Sequence, residues 1–199
     1  MYRLRPGISL ILASASPRRQ ELLARVGLRF AVTAAQVDEN LLPSEGAKAA
    51  AQRLAGLKAR AVERRPGQAV LAADTLVVLG PDILGKPADA FQAAEMLRLL
   101  SGREHQVVTG FCLRDDQGQA SGLGLSIVRF RELRPAEIAA YVASGEPLDK
   151  AGAYAVQGLG AALVSEVGGS YTNVVGLPLA AVLELMLSRG IIEPRKETP

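Results

Sequence analysis

Apolar and polar positions change their period several times along the chain, and each change marks an element. Ser9 to Ala13 (SLILA) is an apolar run of strand length, and Ser16-Pro17 behind it supplies a cap and a first-turn proline for a helix ending near Gly27. Leu28 to Thr33 alternates as a strand does. After a loop carrying Val37-Asp38-Glu39-Asn40 and Pro43, Ser44 is placed to cap a long alanine-rich helix reaching about Arg65. Leu54, Leu57 and Ala61 share one face of that helix, and Lys58 adjoins them, positioned to project into a cleft. Gln68 to Leu79 (QAVLAADTLVVL) is the most strand-like stretch, apolar before and after a single carboxylate, Asp74.

A Gly80-Pro81-Asp82 turn returns the chain past Gly85-Lys86-Pro87, and a helix follows from an Asp89 cap to a stop at Ser101-Gly102. Gln106 to Arg114 and Ser121 to Phe130 read as strands of an antiparallel hairpin closed by Asp115-Asp116-Gln117-Gly118. Pro135 opens a short helix stopping at Gly145. A glycine-rich loop covers Gly152 to Gly160, a strand runs from Ala162 to Val167, and a last helix runs from Pro178 to Gly190. The tail from Glu193 to Pro199 is polar and expected to fray. Helix-crossed strands beside hairpin-joined ones imply an α/β class with a mixed sheet.

Composition narrows this picture. The chain has 199 residues, enough for one sizeable domain, two-lobed at most, and its 49% hydrophobic and 22% charged residues are those of a folded globular protein. A net charge of +3, carried mostly by arginine, suits a small anionic ligand better than a polyanion. Trp is absent and Tyr and Phe number four each, too few for the stacking platforms of single-strand binders. One cysteine, Cys112, excludes an internal disulfide, and one histidine, His105, read as a strand residue, excludes histidine-rich metal sites. The first apolar run, Ile8 to Ala13, is too short for a signal or membrane segment, so the expectation from the sequence is a cytoplasmic protein.

Candidate chemistry starts at Ala13-Ser14-Ala15-Ser16-Pro17-Arg18-Arg19. There a strand gives way to a helix N-terminus whose free N–H groups, dipole and two guanidiniums favour an anion. Capping and solvated surface are the alternative for that segment on its own. Asp74 is the second signal, because an unpaired carboxylate in so apolar a strand costs several kcal/mol, so it calls for a partner, a metal or a task. Its neighbour Thr75 points to the opposite face of a regular strand. Lys58 and Lys86 are single cations, Asp38 and Glu39 either a hard-cation site or a hydrophilic loop, and Gln157 lies among glycines that allow close backbone approach.

Taken in order, these segments resemble the Maf family of nucleoside triphosphate pyrophosphatases. The resemblance rests on LILASASPRRQELL at 10 to 23, VDE at 37 to 39, AADTLVV at 72 to 78, LGKPADA at 84 to 90, LRLLSGREHQVVTG at 97 to 110, EPLDKAGAYAVQG at 146 to 158 and VVGLPL at 174 to 179. It implies an architecture similar to the inosine-triphosphatase-like enzymes, with two lobes around a central cleft and often a homodimer. It also implies that Asp74 activates water, that Ser14, Arg18, Arg19, Lys58 and Lys86 surround the triphosphate, and that Glu39 with Asp74 serves a divalent ion, magnesium or manganese.

Three further positions bear on the base. Arg18, Thr75 and Gln157 match the family's dTTP/UTP branch, and a Gln amide suits the O4 and N3–H edge shared by uracil and thymine. Ala155 stands where many members carry glycine. Two other readings stay open on the resemblance: a 7-methylguanosine triphosphate pyrophosphatase, and a nucleic-acid-binding regulator of division, since the family is associated with septum formation and division arrest.

Overall fold

The structure is a computed structural model that describes residues 1–195. In chain order the elements are β1 (Tyr2–Leu4), β2 (Ser9–Leu12), α1 (Pro17–Arg25), β3 (Ala31–Val32), α2 (Ala47–Ala61), β4 (Gln68–Leu79), β5 (Asp82–Leu84), α3 (Ala90–Leu100), β6 (Glu104–Asp115), β7 (Gly118–Phe130), α4 (Pro135–Ala143), β8 (Val164–Gly169), α5 (Tyr171–Val175), α6 (Leu179–Ser188) and β9 (Ile192–Pro194). Strand pairing runs β3-β2-β4-β6-β7-β8, with β5 on β4 and β1 on β9 apart. Parallel pairs (β2 with β3 and β4) coexist with antiparallel ones (β4 with β5, β7 with β8), so the sheet is mixed, as the alternation of crossovers and hairpins implies.

The described residues divide into two compact units. The first contains residues 1–74, 109–124 and those from Gly176 onward. Its small-residue core joins Ala55, Ala59 and Val62 of the α2 segment to Ala13, Val70, Ala72 and Cys112. Side chains this small let helix and strand backbones approach closely. At Gly110 of β6 a Cβ would stand 2.4 Å from the carbonyl oxygen of Ala51, so no other residue fits without moving α2. The ends of the described chain meet here too: β1 pairs β9, and the Arg195 N–H donates to the Met1 carbonyl over 2.9 Å.

The second unit contains residues 75–108 and 125–175. Its core packs Leu97 and Leu100 of α3, Ile138 and Tyr141 of α4, Val77 and Leu79 of β4 and Phe130 of β7. His105, Phe130 and Tyr154 form an edge-to-face trio with centroids 4.8 to 5.3 Å apart. The segment expected as a glycine-rich loop, Gly152 to Gly160, runs from a 3₁₀ turn at Ala151–Ala153 through extended chain into another at Gly158–Leu163, and a third such turn precedes it at Glu146–Asp149.

Several boundaries differ from the sequence reading for identifiable reasons. Ser16 occupies the N-cap position of α1, yet its hydroxyl makes no cap bond; instead its N–H donates to Ser14 Oγ. Ser44 does not cap α2: it sits at φ 62° in the turn ahead, and the helix starts after Gly46 and ends at Ala61, before Arg65. Ala61 is exposed, while Ala50, Ala51, Leu54, Ala55, Lys58 and Ala59 are buried, because an alanine-rich helix marks its inner face only weakly. Only Ala31–Val32 of the Leu28 to Thr33 stretch pairs as a strand. Of the tail expected to fray, Glu193 and Pro194 lie in β9, and residues 196–199 fall outside the described residues.

Candidate functional site

Strand alternation puts Val70, Ala72 and Asp74 in one row on β4, and α2 packs its Ala55 and Ala59 against the first two. The row therefore carries a carboxylate beneath a helix, midway along a mostly apolar strand. One turn of α2 beyond Ala55 brings Lys58, whose ammonium donates to Asp74 Oδ1 over 2.6 Å. Their side chains are only 10% and 9% exposed, so each supplies the counter-charge the other needs in a poorly solvated place. Asp74 thus has the partner its setting demands. Lys58 also reaches Glu39 Oε1 at 2.9 Å, so two carboxylates converge on one cation.

Glu39 comes from an exposed loop that a further residue braces. Arg53 of α2 donates from Nε and Nη2 to both oxygens of Glu45, each over 2.7 Å, and from Nη2 to the Asn40 carbonyl over 3.0 Å. The Glu45 partnership raises the Arg53 pKa, and Asp38 and Asp74 add to it. Neither Arg53 nor Glu45 stood out in the sequence. An arginine eight residues beyond a glutamate, across a loop and the start of a helix, carries no local signature.

At the start of α1, Arg19 donates from Nε to the Gly176 carbonyl over 2.7 Å and from Nη1 to Ser14 Oγ over 3.1 Å. Burial lowers the Arg19 pKa, the negative charge of Asp74 opposes that fall, neighbouring Arg18 adds to it, and Glu39 opposes it. Arg18 is half-buried beside it, and Ser14 is buried. The structure therefore gathers Ser14, Arg18, Arg19, Glu39, Lys58 and Asp74 within the first unit as one electrostatic set. The positive end of the α1 dipole, the Ser14 hydroxyl and two guanidinium charges therefore meet at that helix start.

Thr75, Lys86 and Gln157 belong to the second unit. Thr75 follows Asp74 on β4 and is half-buried, facing the other side of the strand as alternation requires. Lys86 is exposed on the turn after β5, next to Gly85, whose carbonyl accepts the Gly152 N–H over 3.0 Å. Gln157 is half-buried at the entry to the last 3₁₀ turn. Ala155 stays outside the left-handed region, so its methyl group strains no backbone.

Among the described residues no group of three or more His, Cys, Asp or Glu side chains could hold a metal ion. Glu39 and Asp74 are hard oxygen donors of the kind a magnesium-like ion takes, and the cation they share in this structure is the Lys58 ammonium. His105 takes no part: it is buried, pairs Nε2 with the Tyr154 hydroxyl at 2.8 Å, and burial lowers its pKa to about 4. Cys112 is a buried free thiol whose pKa burial raises. No helix among the described residues is long and apolar enough to cross a membrane.

Fold and site together define a mixed α/β protein that sets a buried carboxylate beside cations at a helix start, the equipment of an enzyme acting on a phosphorylated anion. The chain belongs to the family of Maf-like proteins, which it matches over residues 9–189. A dTTP/UTP pyrophosphatase of Anaeromyxobacter sp. (strain Fw109-5) is 54% identical over 91% of this chain and 89% of its own. One from Anaeromyxobacter dehalogenans (strain 2CP-C) is 53% identical over 93% and 96%, and one from Shigella boydii serotype 4 (strain Sb227) is 48% identical over 95% and 97%. Among solved structures, a HAM1 protein from Coxiella burnetii aligns over 91% of this chain and 99% of that one with a TM-score of 0.49 at 18% identity, too slight a likeness to build on.

Proposed function

We propose that this protein hydrolyses dTTP and UTP to the nucleoside monophosphate and pyrophosphate, clearing such nucleotides, modified pyrimidine forms among them, from the cell's pools. The observation that carries the reading is Asp74: a carboxylate placed by an apolar strand, paired to Lys58, within the field of Arg19. The names of the relatives at 48 to 54% identity supply the substrate class and favour pyrimidines over 7-methylguanosine triphosphate.

In this mechanism Lys58 engages Oδ1 of Asp74, and the other carboxylate oxygen takes the proton of a water. The water oxygen attacks the α-phosphorus as the bond from that phosphorus to the β-bridging oxygen breaks, and pyrophosphate leaves. Arg18, Arg19, Ser14, Lys58 and Lys86 bind the phosphate oxygens, so positioned charge meets the charge that develops. Glu39 and Asp74 would hold a magnesium or manganese ion, which when bound supplies neutralising charge to the phosphates. Thr75 and Gln157, with Arg18, select the pyrimidine edge. The working form is a cytoplasmic homodimer, a state that sedimentation of the purified protein checks.

A pyrophosphate-release panel over dTTP, UTP, 7-methylguanosine triphosphate and the common triphosphates, with magnesium and with manganese, tests the reading. D74N should fold and lose about two orders of magnitude or more in turnover on dTTP and UTP. Full turnover in D74N, or preference for 7-methylguanosine triphosphate, contradicts it.

A further inference from the structure

The segment carrying Gln157 is pinned on both sides of that residue to one pair of side chains. On the near side, the Ala155 N–H donates to the Tyr141 hydroxyl over 3.1 Å. On the far side, the N–H of Leu159 donates to Glu146 Oε2 over 3.0 Å and that of Gly160 to Glu146 Oε1 over 2.9 Å. The pair is itself joined, for the Tyr141 hydroxyl donates to Glu146 Oε1 over 2.9 Å. Gln157 lies midway, two residues from either anchor. We propose that Glu146 and Tyr141 are positioning residues for the nucleobase: they hold the backbone on either side of Gln157 and so fix where its amide meets the pyrimidine edge. This rests on the reading of Gln157 as a base-selecting residue.

The surroundings fit a clamp and not a passive turn. At Gly158 (φ +72°) a Cβ would stand 2.5 Å from Glu146 Oε2, and at Gly160 one would stand 2.3 Å from the Ala155 carbonyl and 2.6 Å from the Tyr141 hydroxyl. The carboxylate is closed over by backbone that only glycine permits. Desolvation pushes the Glu146 pKa up, but the Gly160 and Leu159 N–H groups, the Tyr141 hydroxyl and the charge of Lys150 together bring it below its ordinary value, so it accepts as an anion, the stronger form of such bonds. Ala153 sits at φ 57°, a conformation L residues adopt only where neighbours over-determine it. The Gly152 N–H ties the same segment to the Gly85 carbonyl, one residue from Lys86. Base reading and phosphate binding in this unit therefore share a support.

Steady-state kinetics of the full chain on UTP and CTP, in Y141F, E146Q, Q157A and the double variant Y141F/Q157A, test this. Y141F removes one hydroxyl and keeps the ring in the core. It should raise the KM for UTP roughly five- to tenfold, narrow the preference for UTP over CTP, and leave kcat within about twofold. E146Q should do the same and speed hydrogen exchange at Leu159 and Gly160. In the double variant the loss in kcat/KM should not exceed that of Q157A alone, because a residue acting through Gln157 has nothing left to act on. Additive losses, or an equal fall of kcat on both nucleotides with selectivity intact, overturn the clamp while leaving the base reading in place. A Q157A that keeps wild-type selectivity overturns both. Should E146Q fail to fold, Y141F and the cycle decide.

Discussion

The Lys58 ammonium lies 2.6 Å from Asp74 Oδ1 with both side chains about nine-tenths buried, and this pair joins helix α2 to strand β4 at the proposed reaction centre. Stability and chemistry meet in it. K58M should lower stability on the order of 3 kcal/mol, since it leaves a buried carboxylate without its closest counter-charge, and it should weaken triphosphate binding as well. The double variant K58M/D74N should recover part of the stability and none of the activity. Urea unfolding of the three proteins checks this, and an undiminished midpoint in K58M would show the pair to be energetically idle.

Arg19 uses its planar fork in two directions, toward Ser14 Oγ and toward the Gly176 carbonyl. A lysine carries the same charge and cannot make both bonds from one rigid plane. R19K should therefore fold, and kcat/KM for UTP should fall on the order of tenfold. Retained kcat/KM would assign Arg19 a general electrostatic role only.

Much of this framework is legible in the chain. The β4 strand was expected over Gln68 to Leu79 and forms there, because an unbroken apolar run bounded by a glycine turn has one reading, and that same run made Asp74 conspicuous. Asp89 caps α3 as its side chain suggests, accepting the Gln92 N–H. The Lys58 to Asp74 contact was not legible, since sixteen residues and a change of element separate the two and α2 is alanine on several faces. Strands of three residues escaped for a similar reason: β5 is hidden behind its turn, and β1 and β9 pair across almost the whole length of the chain. Arg18 and Arg19 stood out as a pair, whereas the brace that Arg53 gives the Glu39 loop is visible only in three dimensions.

The close approach of α2 to β6 makes a prediction of its own. Gly110→Ala adds a methyl group where the nearest backbone atoms of Ala51 are 2.4 Å away, so the helix must shift. Overpacking of this kind costs about 2 kcal/mol, and because Lys58 rides on α2 the variant should lose hydrolytic activity beyond what its stability explains. Thermal unfolding beside kinetics well below the melting temperature separates the two effects.

His105 contributes to the acid limb of stability. Burial lowers its pKa from 6.5 to about 4, so between those values the unfolded chain binds a proton that the folded one refuses. The contribution of His105 to stability is therefore complete above pH 6.5 and is lost as pH falls toward 4, by up to about 3 kcal/mol in total. Glu137 acts lower: Arg131 and the Arg134 N–H depress it from 4.5 to about 2, so its contribution is present above pH 4.5 and lost as pH falls toward 2. Denaturant titrations between pH 7 and 4.5 should show a slope in the wild type that H105Q flattens. An unchanged slope in H105Q would place the titration elsewhere.

The most direct measurement is the fate of solvent oxygen during turnover of UTP in ¹⁸O-labelled water, read by mass spectrometry of the products. Attack at the α-phosphorus by a water that Asp74 deprotonates predicts one labelled oxygen in UMP and none in the pyrophosphate released with it. Label in the pyrophosphate, or release of UDP and inorganic phosphate in place of UMP, would contradict the account.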